Sequence, residues 1–80
     1  MATKEQVLKL IKQSTREIAP ELEEAPLEPT DSLKGLGLNS VDRAEVLMMV
    51  MEDLDLSVPL VELAGAKNIG ELADVFVSKL

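Results

Sequence analysis

The 80-residue sequence contains no histidine, cysteine, tryptophan or tyrosine, and its single aromatic residue is Phe76. Without cysteine no disulfide can form. Without histidine and cysteine the chain also lacks the side chains that most often bind transition metals or act as bases near neutral pH. These absences argue against a metal site and against a self-contained acid–base or nucleophilic enzyme. The lack of cysteine also fits a reducing compartment, so we expect a cytoplasmic protein.

Basic residues and long apolar runs are scarce as well. Eight lysines and arginines face fifteen aspartates and glutamates, which gives a net charge of −7. Because phosphate binding needs clustered cations, we expect neither nucleic acid nor an anionic membrane as a partner. No run approaches the roughly 20 apolar residues of a membrane span. From residue 40 onward eight acids stand against three bases, a net −5, so the second half favours partners with basic surfaces.

The 46% of hydrophobic residues is enough for one small core, and its spacing is helical. It predicts helix one over residues 4–18, helix two from about Ser40 to Leu54, a short third helix within SVPLVELAG, and a fourth opened by Asn68 and Glu71 as a loose capping box. We therefore expect an all-α antiparallel bundle of three main helices and one short helix. Residues 1–80 would form a single, monomeric domain, and the expected inward stripe of helix four is Ile69, Leu72, Ala73, Phe76 and Leu80.

The segment PELEEAPLEPTDSLKGLGLN, residues 20–39, is predicted to be a long loop between helices one and two. It contains three prolines and two glycines, which disfavour a regular helix. Long loops inside compact domains are uncommon and are often functional. We expect a short turn near Asp31 to Lys34, and leucines that hold the loop across the helix ends: Leu22, Leu27, Leu33, Leu36 and Leu38.

Helix two has apolar residues on more than one side. At 100° per residue, one broad side collects the residues that we assign to the core: Ala44, Leu47, Met48, Val50, Met51 and Leu54. Val46 and Met49 then fall on the opposite side among Asp42, Glu45 and Asp53. Single apolar residues on a surface are ordinary. The alternative is a small apolar patch ringed by acids, which suits transient docking on a basic partner.

Ser40 lies in LGLNSVDRAEV, where the loop becomes helix two. By position alone either Ser40 or Asn39 could cap the helix. A serine nucleophile would need a base, and this chain offers no imidazole. The serine does, however, follow a Gly-x-Gly loop at a helix N-terminus, where backbone N–H groups can hold a phosphate. A phosphodiester made there by another enzyme would require no internal base.

The stretch DSLKGLGLNSVDRAEVLMMVMEDLDLSVP resembles the centre of an acyl carrier protein, and the resemblance extends over essentially the whole chain. In that family a serine at the start of helix two carries phosphopantetheine, so the resemblance implies covalent attachment at Ser40 by a phosphopantetheinyl transferase. The family usually has aspartate before this serine, and here the residue is Asn39. Asparagine can still cap the helix, but it removes one negative charge beside the hydroxyl.

The sequence NSVDRAEV with MMVMEDL is also similar to small freestanding donor carriers of polyketide β-branching cassettes, of the curacin and jamaicamide kind. That similarity implies three further partners: an acyltransferase that loads malonyl, a decarboxylating ketosynthase-like enzyme that leaves acetyl, and a hydroxymethylglutaryl-synthase-like enzyme that takes it. The residues it places on the partner face are Asn39, Val41, Asp42, Arg43, Glu45, Val46 and Met49. The alternatives are a fatty-acid or peptidyl carrier and, in another class, an unmodified helical adaptor.

Overall fold

The computed structural model describes residues 2–80, and within them the chain forms four α-helices and one 3-10 helix. The α-helices are α1 (Lys4–Ile18), α2 (Ser40–Asp53), α3 (Leu60–Leu63) and α4 (Ile69–Ser78), and the 3-10 helix is Pro20–Leu22. No strand occurs in this part of the chain, and none of its helices is long and apolar enough to cross a membrane. The predicted bundle of three main helices and one short helix is confirmed. The 3-10 helix was not predicted.

The ends of α1 follow from local chemistry. The Thr3 hydroxyl accepts a hydrogen bond from the Gln6 N–H at 3.2 Å, and the Gln6 side chain accepts one from the Thr3 N–H at 3.0 Å. This reciprocal capping box satisfies two amides that have no acceptor inside the helix. At the other end α1 stops at Ile18, two residues before Pro20, because proline restricts the residue before it.

Side-chain and backbone caps also delimit α4 and α2. The Asn68 side chain accepts from the Glu71 N–H at 2.7 Å, as predicted, whereas the Glu71 carboxylate accepts from the N–H of Lys67 at 3.3 Å, one residue earlier than in a standard capping box. At the end of α2, Asp55 adopts a left-handed conformation with φ of 52°. The Leu56 N–H then donates to the Met51 carbonyl at 2.9 Å and closes the helix.

The core lies where α1 meets α2 and α4, with which it makes its main helix contacts. Phe76 is fully buried, and so are three residues of α1 and two of α2. Leu80, predicted to complete the α4 stripe, is instead 41% exposed because the helix ends at Ser78. The largest fully buried side chains are Phe76, Ile11, Ile69, Val7, Val46, Val50 and Thr15.

The predicted orientation of α2 is correct for Leu47, Val50, Met51 and Leu54, which are buried or pack against the core, and wrong for Val46 and Met48. Val46 is completely buried with Val50, one turn further on, whereas Met48 is 51% exposed. Apolar residues surround most of this helix, so the centre of the apolar side is poorly defined by sequence periodicity. Packing against α1 decides instead which side is buried. The two residues of α2 that become fully buried are Val46 and Val50, which lie four residues apart on the same side of the helix.

The long loop between α1 and α2 is held against the start of α4. The Ile69 N–H donates to the Asp31 carbonyl at 2.9 Å, and the Gly70 N–H donates to the Pro29 carbonyl at 2.8 Å. A Cβ atom at Gly70 would lie only 3.2 Å from that Pro29 oxygen, so glycine permits the close approach. As predicted, leucines hold the loop: Leu27, Leu33 and Leu38 are buried, and Leu22 and Leu36 pack against the core.

The turn predicted near Asp31 to Lys34 lies slightly later, over residues 33–37. It begins at Ser32, whose hydroxyl accepts from the Gly35 N–H at 2.9 Å. Gly37 has φ of 98°, a left-handed conformation that other residues adopt only with strain. The turn therefore depends on glycine at the last position before the chain returns to the core at Leu38.

The orientation of α2 gives a stability prediction. Val46→Ala should lower the free energy of unfolding by roughly 1–3 kcal/mol, because it removes buried methyl groups and leaves a cavity. Met48→Ala removes an exposed side chain from the same helix and should change it by less than about 0.5 kcal/mol. Urea denaturation followed by circular dichroism measures both. A larger loss for Met48→Ala than for Val46→Ala would contradict this orientation of α2.

Candidate functional site

Ser40 is the first residue of α2, and the cap of that helix is Asn39. The Asn39 side-chain oxygen accepts a hydrogen bond from the Asp42 N–H at 2.8 Å. Ser40 is exposed, and its hydroxyl forms no hydrogen bond with any atom of residues 2–80 that would indicate a structural role. Of the two caps that the sequence left open, the structure therefore selects Asn39. The Ser40 hydroxyl remains accessible for chemistry.

The backbone around Ser40 favours a negatively charged group. The Arg43 N–H donates to the Asn39 carbonyl at 2.9 Å, and the Asp42 N–H is taken by the cap. The remaining amides of the first turn, those of Ser40 and Val41, find no acceptor within residues 2–80. They lie at the positive end of the helix dipole, where anions are stabilised. A phosphodiester on Ser40 would occupy a position that these two amides favour.

Arg43 holds the backbone that precedes α2. Its guanidinium donates to the Leu38 carbonyl at 2.9 Å, two residues before Ser40. Leu38 itself is buried in the core, and its N–H donates to the Leu33 carbonyl at 3.1 Å. The residue before the cap is thus held by its side chain and by both backbone polar groups, so the position of Ser40 is well determined.

The exposed side of α2 forms a surface that we call the outer face, defined by Val41, Glu45, Met48 and Glu52. These residues recur at intervals of four, three and four, so they lie on one stripe of the helix. Val41 is 65% exposed and Met48 is 51% exposed, and both glutamates are exposed. The outer face therefore combines two apolar side chains with two carboxylates, a composition suited to a partner surface with an apolar depression and basic residues.

The structure separates the residues predicted for the partner face. Asn39, Val41 and Glu45 are exposed, and Asp42 and Met49 are half-buried. Val46 is fully buried, so its assignment to the partner face is wrong. Arg43 is half-buried and borders a cleft. The exposed apolar residues that the prediction missed are Met48 on α2 and Leu60 and Val61 on α3.

The cleft beside Arg43 has a volume of about 460 Å³ and lies between α2, the turn after Ser32, and the segment that joins α3 to α4. Its walls are mainly apolar, with Leu47 from α2 and Leu63 from α3 among them. No group of three or more aspartates or glutamates within residues 2–80 is arranged to hold a metal ion. The two α2 residues that line the cleft, Arg43 and Leu47, lie on the same side of the helix as Ser40.

Three comparisons with known proteins all give carrier proteins with a phosphopantetheine attachment site or acyl carrier proteins. Residues 7–76 match the family model described as the phosphopantetheine attachment site. The polyketide biosynthesis acyl-carrier-protein AcpK of Bacillus subtilis (strain 168) is 47% identical over 77 residues, which is 96% of this chain and 94% of that protein. In the crystal structure of the curacin biosynthetic pathway HMG synthase in complex with acetyl donor-ACP, one chain is 73% identical. It superimposes with a TM-score of 0.93, and the match covers 98% of this chain and all of that chain.

Proposed function

The chain belongs to the family of carrier proteins with a phosphopantetheine attachment site, and on this premise we propose that Ser40 carries the arm and that the protein is an acetyl donor in polyketide β-branching. The observation that carries the site assignment is local. Asn39 caps α2, which leaves the Ser40 hydroxyl exposed at the helix start. The whole chain, residues 1–80, then acts as one carrier domain without catalysis of its own.

The residues around Ser40 fit a phosphodiester-linked group. Two amides without acceptors and the positive end of α2 stabilise its negative charge, and Arg43 lies one turn away. Because the chain has no histidine or cysteine, a phosphopantetheinyl transferase supplies the base that accepts the Ser40 proton. The hydroxyl oxygen then forms a bond to the phosphorus that bears the pantetheine, the pyrophosphate bond of CoA breaks, and adenosine 3′,5′-bisphosphate leaves. Once attached, the arm offers a terminal thiol that holds acyl groups as thioesters.

The donor assignment rests on the similarity to the chain crystallised with the HMG synthase, which is 73% identical over nearly the whole length. We propose that an acyltransferase loads malonyl, that a decarboxylating ketosynthase-like enzyme leaves acetyl, and that an HMG-synthase-like enzyme accepts the acetyl group. The protein would work as a monomer in the cytoplasm, where its CoA-derived substrates are made. An unmodified adaptor would need none of these enzymes, and the attachment experiment separates the two functions.

The outer face of α2 is the surface that we propose for docking. It begins one residue after Ser40, so a partner bound there lies beside the arm. The net charge of −5 from residue 40 onward steers a basic partner toward this half of the chain. Val41 and Met48 supply apolar contact, and methionine adapts to surfaces of varied shape. Binding should weaken as salt rises, because exposed charges are screened.

Ser40→Ala should abolish attachment of the arm and leave the fold unchanged. Since Asn39 provides the cap, we expect the exposed serine to contribute less than about 0.5 kcal/mol to stability. Incubation with CoA and a phosphopantetheinyl transferase, followed by intact-protein mass spectrometry, measures attachment, and circular dichroism checks the helix content. Ser57→Ala, another exposed serine, is the matched control and should still gain the arm. Attachment of the arm to Ser40→Ala, or no attachment to the wild type, would contradict the assignment of Ser40.

Glu45→Lys should slow acetyl transfer to an HMG-synthase-like partner by roughly tenfold at limiting carrier, a loss of about 1.4 kcal/mol in docking. The matched control is Glu17→Lys, which makes the same charge change at an exposed position of α1. Transfer is followed by mass spectrometry with both variants fully acetylated. Equal slowing by the two variants would mean that the partner does not bind the outer face.

A further inference from the structure

The cleft beside α2 has a charge opposite to that of the protein. Three cations line it, Lys34 from the turn, Arg43 from α2 and Lys67 from the segment before α4, and no carboxylate is among its lining residues. The chain as a whole has only eight basic residues against fifteen acidic ones. A cleft with apolar walls and a basic rim in such an acidic protein is suited to a ligand that has hydrocarbon groups along its length and an anionic group at one point.

The three cations are not used for internal ion pairs. Within residues 2–80, ion pairs closer than 4 Å join Lys4 to Asp74 and Lys79 to Glu62, and none involves the cleft cations. The hydrogen bond from Arg43 to the Leu38 carbonyl leaves most of its guanidinium donors without a partner. The nearby Glu71 carboxylate accepts from the backbone N–H of Lys67. Glu71 keeps its negative charge in this hydrogen bond and offsets part of the positive charge of the rim, and the remainder is available to an anion that enters the cleft.

The cleft is also placed to receive what Ser40 carries. Arg43 and Leu47 follow Ser40 by three and seven residues, so all three lie on one side of α2. At about 1.5 Å per residue, Leu47 is roughly 10 Å along the helix from Ser40. An arm of two amide units and a terminal cysteamine is longer than this. Its acyl end can therefore reach the cleft without leaving the side of the helix on which it is attached.

We propose that this cleft binds the carboxylated acyl end of the arm, a malonyl thioester, in preference to neutral acyl groups such as acetyl. The inference rests on attachment at Ser40 and deepens the proposed donor function. The carboxylate meets Lys34, Arg43 and Lys67, while the arm contacts the apolar walls. Decarboxylation releases the carboxylate as CO₂ and, after uptake of a proton, leaves acetyl without charge. The rim then no longer holds the acyl end, and the acetyl group is free to enter the accepting enzyme.

The test compares malonyl with acetoacetyl, its neutral isostere, on ¹⁵N-labelled protein, with the thioester sulfur replaced by N–H to prevent hydrolysis. Backbone chemical shifts of cleft residues report how much of the arm is docked. We expect the ratio of docked to free arm to be roughly fivefold higher for malonyl, the size of one partly exposed ion pair. This difference should shrink as salt is raised, because the rim is open to solvent.

Gly65 lines the cleft, and a Cβ atom there would meet nothing within 4 Å, so the position accepts a pair of variants that differ from each other only in charge. Gly65→Glu should remove the malonyl preference, and the isosteric Gly65→Gln should keep it. A second pair compares Lys67→Gln with Lys9→Gln, an exposed lysine of α1, and only the first should reduce the preference.

Equal shifts for malonyl and acetoacetyl on the correctly loaded wild type, or equal behaviour of the two Gly65 variants, would overturn the inference alone. Failure of the proposed function is seen separately, since mass spectrometry would then show no arm on Ser40.

Discussion

The site depends on the way the long α1–α2 loop is held against α4. Two amides of α4, those of Ile69 and Gly70, donate to carbonyls of the loop, and Gly70 allows the backbones to come close enough. Burial of Leu33 and Leu38 then brings the end of the loop into the core, and Arg43 binds the Leu38 carbonyl. The exposed residue of the site is therefore positioned by buried neighbours, although its own side chain is accessible.

Much of this fold could be predicted because its signals are local. Helix ends are set by residues within one turn, such as Asn68 with Glu71 and Ile18 before Pro20, and these positions agree with the structure. The burial of Val46 and the exposure of Met48 on α2 could not be predicted in this way. Its apolar residues surround the helix, so burial of Val46 and exposure of Met48 follow from contact with α1, which is remote in sequence.

The same distinction between local and remote interactions applies to the candidate site. Ser40 could be proposed as the attachment residue from its place at a helix start and from the family resemblance, and the family is confirmed by comparison. The choice between Asn39 and Ser40 as the cap needed coordinates, because both residue types serve equally well. The cleft could not be predicted, since Lys34, Arg43 and Lys67 come from three separate segments. Arg43, which was predicted for the partner face, also lines this cleft.

The donor role is tested most directly by acetyl transfer to one HMG-synthase-like enzyme from two carriers, this protein and a carrier from a chain-elongation module. Both present the same arm and the same acetyl group, and mass spectrometry confirms equal loading. Any preference must then come from the protein surface beside the arm. The account predicts that this protein transfers acetyl at least about tenfold faster at limiting carrier, equivalent to about 1.4 kcal/mol in docking. Equal rates would contradict the donor assignment.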